Sequence, residues 1–296
     1  MAGPPPGGFA IVDKSAGWTS HDVVARLRRA FGTRRVGHAG TLDPMATGVL
    51  VVGVDWATKL LTQVVGSDKS YTETVRLGSA TTTDDAEGEP LTTADASTVD
   101  PAALRAAVAA LTGEITQRPS SVSAIKIDGR RAYARVRAGE DVVLPGRSVT
   151  IREFTVLGSR VDGQFLDVDV AVTCTTGTYV RALARDLGAA LGVGGHLTAL
   201  RRTAVGPWTL AEARTLDAVL AEPCFLPVAA AASRLLPAAV VDDGGAAALR
   251  AGRRVPRPAD AADGVLLAVL GRTGELVCLA RVEGGELRPE AVLPVG

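Results

Sequence analysis

Cysteine is scarce in this chain. Its 296 residues include three, Cys174, Cys224 and Cys278, far apart and odd in number. They form no CxxC pair, which argues against a disulfide framework and against a thiolate zinc site. Histidine is as scarce, and His21, His38 and His196 have no ligand spacing. No metal site is therefore expected. No run of about 18 apolar residues is present, so no membrane-spanning helix is expected. The alanine-rich piece from Val228 to Val240 is broken by Arg234 and Pro237. The opening MAGPPPGG lacks the cationic and apolar regions of a signal peptide and reads as a flexible lead-in over residues 1–8. There is no GxGxxG or Walker loop and no internal repeat. A soluble, cytoplasmic protein is the expectation.

Net charge is missing as well, since 32 Lys and Arg balance 32 Asp and Glu. The distribution is uneven, however. Five arginines and no acid lie between Arg26 and Arg35. Lys126, Arg130, Arg131, Arg135 and Arg137 face Asp128 alone, and Arg201-Arg202 and Arg250, Arg253, Arg254, Arg257 add two more clusters. The acids gather elsewhere, notably from Asp84 to Asp100. Local basic surfaces on a neutral protein suit a nucleic acid of limited size.

What is plentiful is apolar residues, 47% of the chain, enough for one large domain or one large and one small. Phe9–Val12 reads as a strand. Ser20 is the expected N-cap of a helix from His21 to Phe31 that Gly32 stops, with Val23, Val24, Leu27, Ala30 and Phe31 as its buried stripe. Residues 49–54 read as a strand. Lys69–Leu77 alternates like one, with Tyr71, Val75 and Leu77 on one face. Asp100 and Pro101 open a helix that closes before Gly113. Residues 117–147 read as a long basic insertion, the kind of loop that is usually functional or disordered. Gln164–Cys174 alternates, with Asp167, Asp169 and Thr173 outward. A helix follows from Tyr179 to Leu191. From Leu236 a small module holds a short helix, Ala246–Ala251, and a hairpin across GRTG. About 60 residues are marginal alone, so the module is expected to pack on the main body. The mixture is not a regular βαβ alternation. It points to an α+β fold with a mixed, largely antiparallel central sheet flanked by helices. The expected domains are 9–230 and 236–296.

The stretch richest in chemistry is GHAGTLDPMATG, Gly37–Gly48. Pro44 pushes Asp43 out of the helical region, which pins it in a stiff, extended segment. Gly37, Gly40 and Gly48 let the loop turn sharply and let a ligand approach its backbone. A lone acid on a preorganised loop is a candidate nucleophile or base. A polar turn between helix and strand is the alternative.

GHAGTLDPMATGVL resembles, position for position, the signature of the TruB family of tRNA pseudouridine synthases. The resemblance continues at Asp13-Lys14-x-x-Gly17, Lys69-x-Tyr71, Gly78…Thr83-x-Asp85…Gly88, Ser123-Ala124-x-Lys126, Gly177-Thr178-Tyr179-x-Arg181 and Leu200-Arg201-Arg202. These blocks occur in order over roughly residues 9 to 210. Val122 departs from the pattern, where an aromatic often precedes Ser-Ala-x-Lys. Asp84 and Asp85 are adjacent where the pattern has one acid, and Asp85 is aligned with it. The C-terminal module resembles, weakly, the small PUA-like RNA-binding appendage of many members.

The resemblance implies the pseudouridine synthase fold and isomerisation of uridine to pseudouridine in the T loop of tRNA, at position 55. It implies no metal, no organic cofactor and no guide RNA, with the T-arm stem-loop as partner and a monomer as the form. Asp43 would be the catalytic carboxylate, attacking C6 of uracil or C1′ of ribose, or acting as a base on the sugar. Arg181 looks like the cation that pairs with it, and Asp85 like a supporting acid. Tyr71 resembles the aromatic that stacks on the flipped base and could receive the C5 proton. Tyr179 and Leu200 resemble pocket residues, and His38 the side chain that fills the space the flipped nucleotide leaves. Lys14 would support the loop or bind a phosphate. Lys126, Arg130, Arg131, Arg135, Arg201 and Arg202 would hold the RNA through salt-sensitive phosphate contacts. The base must leave its stack at a cost of a few kcal/mol. Two alternatives remain: a non-catalytic protein that binds or folds tRNA, and a hydrolase of sugar or nucleoside bonds, which would want a second spaced carboxylate.

Overall fold

The computed structural model describes residues 7–120, 126–127, 130–131 and 145–293. The chain divides into two compact units. One comprises residues up to Pro44, Gly48–Val65 and Val205 onward; the other comprises Met45–Thr47 and Gly66–Ala204. This division cuts across the 9–230 and 236–296 domains expected from the sequence, because the C-terminal residues share a unit with the N-terminal strand.

In the first unit, strand Gly8–Lys14 runs antiparallel to Thr47–Val54, with Phe9 opposite Gly53 and Lys14 opposite Gly48. Val36–His38 flanks the latter antiparallel, and Arg214–Thr215 joins the former in parallel. The run at 49–54 is apolar throughout because both faces are covered. Ala10, Val12, Leu50, Val52 and Val54 meet Val23, Val24, Leu27 and Phe31 of the first helix. Phe9, Ile11, Val49 and Val51 meet Trp208, Ala231 and Ala232 on the other side.

That first helix spans Ser20–Phe31, and Gly32 ends it in the left-handed region at φ 62°. Its cap is Thr19, not Ser20 as the sequence suggested. Thr19 and Asp22 form a reciprocal capping box, each side chain bonded to the other's backbone N–H. Two adjacent residues could both cap, and the one with an acid three positions later does so. The C-terminal sheet has the order Ala238–Val240, Leu266–Leu270, Leu276–Glu283, Glu286–Val292, Val255–Pro256. With helix Asp243–Arg250 it encloses its own apolar cluster, including Leu249, Val269, Val277 and Leu287.

The second unit is built on an antiparallel meander. Lys69–Leu77 pairs with Phe165–Cys174, which pairs with Arg147–Asp162, which pairs with Gly113–Gln117. Gly195–Val205 lies on the far side of Lys69–Leu77. Helix Val180–Ala190 packs on Lys69–Leu77. Helix Pro101–Ala110 has Asp100 as its cap, bonded to Ala102 N–H, and Pro101 in its first turn. The fold is α+β with a largely antiparallel sheet. One outward residue was misplaced by the alternation. Asp167 is 4% exposed, because the Arg76 guanidinium grips it through Nε at 2.7 Å and Nη2 at 2.9 Å. That grip holds its carboxyl below the usual range.

Candidate active site

In the first unit, Asp43 is half-buried in an irregular segment, and the segment is anchored on both sides of it. Before it, the Ser20 hydroxyl accepts from Leu42 N–H at 2.8 Å and donates to Leu42 C=O at 3.2 Å. After it, the Pro44 carbonyl accepts from Gly17 N–H at 2.8 Å and from Lys14 Nζ at 3.3 Å. Gly40 and Gly48 take φ of 88° and 101°, which a side chain would resist. Gly37 belongs instead to the strand Val36–His38. Lys14 is 1% exposed and donates to three carbonyls, those of Ser15, Trp18 and Pro44. His38 is half-buried, and its ring meets His21 edge-on at 5.5 Å between centroids.

In the second unit, helix Val180–Ala190 begins at Tyr179, which makes no capping bond with its side chain. A fully buried Gln117 takes over. Its Oε1 accepts from Tyr179 N–H at 2.8 Å and its Nε2 donates to Tyr179 C=O at 3.0 Å. Two residues on, Arg181 is buried. Its Nη1 donates to Asp85 Oδ2 at 3.0 Å and to the Thr83 carbonyl at 3.1 Å. Asp85 is 2% exposed and also accepts from Thr83 Oγ1 and Glu87 N–H. The neighbouring acids divide their work, since Asp84 pairs with Arg185 at 3.3 Å. Burial pushes the Asp84 carboxyl up against the pull of Arg185.

Lys69, Tyr71, Glu73, Val75 and Leu77 are all buried on one face of their strand. In register across the ladder, Cys174 stands opposite Lys69, Val172 opposite Tyr71 and Val170 opposite Glu73. Burial pushes the Tyr71 phenol up to about 12, with Arg202 opposing it. Burial, helped by Arg202, brings Lys69 down to about 8. Glu73 is 4% exposed, and neither carboxylate oxygen has a hydrogen-bond partner among the described residues. Burial lifts it to about 8. Leu200 is buried on the adjacent strand. Arg201 donates to Thr47 Oγ1 at 3.2 Å. Arg202, read from the sequence as a phosphate contact, is 1% exposed, which takes it off the surface such a contact needs. Ser20, Gln117 and Glu73 were not singled out for the site by the sequence. Nothing local marks the first two, whereas Glu73 shares the parity of Tyr71 and Val75 and so was open to detection.

The basic clusters have opposite fates. Arg26, Arg28, Arg29, Arg34 and Arg35 are exposed. Arg26 lies over the Trp18 ring at 4.3 Å, and Lys59 and Arg35 over Trp56 at 4.4 and 5.5 Å. Near the C-terminus the arginines meet acids brought in by the hairpin strands. Arg250 pairs with Glu275 at 3.3 Å, Arg254 with Glu283 at 3.5 Å and Arg288 with Glu283 at 3.1 Å. The cluster at 250–257 is therefore not the bare cationic patch its sequence suggested. Lys126–Ile127 and Arg130–Arg131 form a two-stranded ribbon. Their side chains, Ser123, Ala124, Arg135 and Arg137 lie outside the described residues. Among the described residues no group of three or more His, Cys, Asp and Glu could hold a metal, and no helix is long and apolar enough to cross a membrane.

Comparisons with known proteins agree with this layout. The model for the TruB family pseudouridylate synthase N-terminal domain matches residues 28–180, and that for the tRNA pseudouridylate synthase B C-terminal domain matches 181–236. tRNA pseudouridine synthase B of Arthrobacter sp. (strain FB24) is 56% identical over 294 residues, 96% of each chain. The protein of that name from Nocardia farcinica is 58% identical over 279 residues, 92% of this chain and 91% of the relative. Among solved structures, a Cbf5-Nop10-Gar1 complex contains a chain similar at TM-score 0.74 and 27% identity, covering 96% of this chain and 84% of that one. An H/ACA RNP bound to a substrate RNA containing 2'-deoxyuridine gives 0.73 and 26%, covering 97% and 85%.

Proposed function

Because the chain belongs to the TruB family of pseudouridylate synthases, we propose that it converts uridine to pseudouridine in the T loop of tRNA, at position 55, with Asp43 as the single catalytic carboxylate. Relatives named for tRNA and matched over nearly their whole length support tRNA as the substrate. A cytoplasmic monomer that needs neither guide RNA nor metal accords with that reading.

The observation that carries the assignment of Asp43 is its anchored segment. Hydrogen bonds to Leu42 and Pro44 hold the backbone on either side, as a preorganised reacting group requires. The reaction breaks the N1–C1′ bond, turns the uracil and joins C5 to C1′. It needs one carboxylate, and Asp43 serves by attack at C6, by attack at C1′ or as a base on the sugar. Arg181 supplies the cation for Asp43, by the family pattern, and Asp85 pairs with that guanidinium at 3.0 Å. Tyr71 stacks on the flipped base, and burial holds its phenol in the neutral form. Leu200 and Tyr179 line the uracil pocket, and His38 fills the vacated stack. The exposed arginines between Arg26 and Arg35 and the basic stretch at 126–137 engage phosphates.

The test is release of tritium from T-arm RNA labelled at uridine C5. One tritium per RNA should be released, and none when position 55 is changed to cytidine. No release from the parent RNA contradicts the function, and release from the cytidine-55 RNA contradicts the position.

A further inference from the structure

We propose that Ser20 is a positioning residue for Asp43. The inference rests on the reading of Asp43 as the catalytic carboxylate. Ser20 is completely buried in the first turn of its helix, although it does not cap that helix. Its hydroxyl is turned instead onto a residue 22 positions away. There it accepts from Leu42 N–H at 2.8 Å and donates to Leu42 C=O at 3.2 Å. A hydroxyl is a compact group that can accept and donate at once, and both polar groups of this one peptide residue are satisfied by it. Leu42 is itself 3% exposed, so water does not substitute readily for the lost partner. The next α-carbon along the chain, about 3.8 Å away, is that of Asp43.

The position of Ser20 is fixed in turn from outside the loop. The Thr19–Asp22 capping box sets where the helix begins, and Val23, Val24 and Leu27 seat the helix on the sheet. The chain of support runs from capping box to helix start, to the Ser20 hydroxyl, to the Leu42 backbone, to Asp43. Ser20 touches no reacting atom, so its effect on the chemistry passes through the backbone it clasps.

The experiment compares Ser20→Ala, Ser20→Thr and Val24→Ala, the last a cavity on the buried face of the same helix. Single-turnover tritium release at saturating T-arm RNA is measured well below each melting temperature, alongside RNA affinity and amide exchange at Leu42. Ser20→Ala should slow the reaction about 10- to 100-fold with RNA affinity changed less than about twofold. Ser20→Thr, which keeps the hydroxyl, should recover most of the rate. Val24→Ala should slow it less than about twofold despite an equal or larger loss of thermal stability. Exchange at the Leu42 amide should quicken at least about tenfold in Ser20→Ala. The proposal is overturned if Ser20→Ala reacts at the parent rate, if Val24→Ala loses as much, or if Leu42 exchange is unmoved. Asp43→Asn separates the two claims: activity that survives it removes the reading of Asp43, while the exchange measurement still reports on the clasp.

Discussion

The segment that carries Asp43 and the helix end that carries Arg181 are each gripped by a buried polar side chain from elsewhere in the sequence. Ser20 holds Leu42, and Gln117 holds Tyr179. In both cases the grip falls on the backbone one or two residues before the functional side chain. Beyond that the two regions differ. Around Asp43 the anchors are a hydroxyl, an amide N–H and a lysine meeting carbonyl groups. Around Arg181 the anchors reach the charged head itself, through Asp85, and the surroundings are rich in buried groups that titrate: Asp84, Lys69 and Glu73. These anchors hold the backbone on both sides of the acid and the charged head of the cation. Sensitivity to pH should therefore be marked in the second unit, where those buried groups titrate.

The sharpest way to break this contrast is Asp85→Asn. It removes the carboxylate at 3.0 Å from a buried guanidinium, and losing one partner of a buried pair costs about 3–5 kcal/mol. Turnover should fall about 100-fold through misplacement of Arg181. Asp84→Asn, on the longer and more exposed Arg185 pair, should cost less than about 1 kcal/mol. Equal effects in thermal melts and single-turnover rates would mean that charge on this side is not directed at Arg181.

Glu73 sharpens the contrast through pH. Its folded value, about 8, lies above the ordinary 4.5. The folded state therefore keeps a proton that the unfolded chain has lost, and stability falls as pH rises from about 4.5 to about 8, then levels off. Glu73→Gln cannot ionise. It should match the parent near pH 4.5 and exceed it by about 4 kcal/mol at pH 8. Melting curves across that range check this, and parallel curves would contradict it. A smaller effect is expected from Gln117→Leu. Two hydrogen bonds to Tyr179 are lost, worth about 1–3 kcal/mol, and the rate should fall about tenfold with no change in its pH profile.

Much of the fold was legible because burial follows parity. The Lys69–Leu77 and Phe165–Cys174 strands each hide one face, and the alternation exposed them. Asp100 and Pro101 marked a helix start by local chemistry alone. The errors came where a partner is distant in sequence. Ser20 looked like a cap because its leap to Leu42 leaves no local trace. Asp167 looked exposed because its parity said so, whereas Arg76 on the neighbouring strand covers it. Arg250 and Arg254 looked like a cationic patch because the hairpin that supplies Glu275 and Glu283 comes 25 or more residues later. Arg181 and Tyr71 became candidates only through a pattern of short blocks in order, whereas Asp43 also stood out as a lone acid before Pro44. No single block states which carboxylate holds the guanidinium, and the ion pair with Asp85 emerges only when the 83–88 turn meets the helix start.

The central claim is that one carboxylate, at position 43, does the chemistry and that RNA binding is a separate matter. The direct measurement is Asp43→Asn with C5-tritiated T-arm RNA, following tritium release in a single turnover and RNA affinity in the same preparation. Release should fall below detection while affinity stays within about threefold of the parent. Release that persists at a tenth of the parent rate or more would contradict the claim.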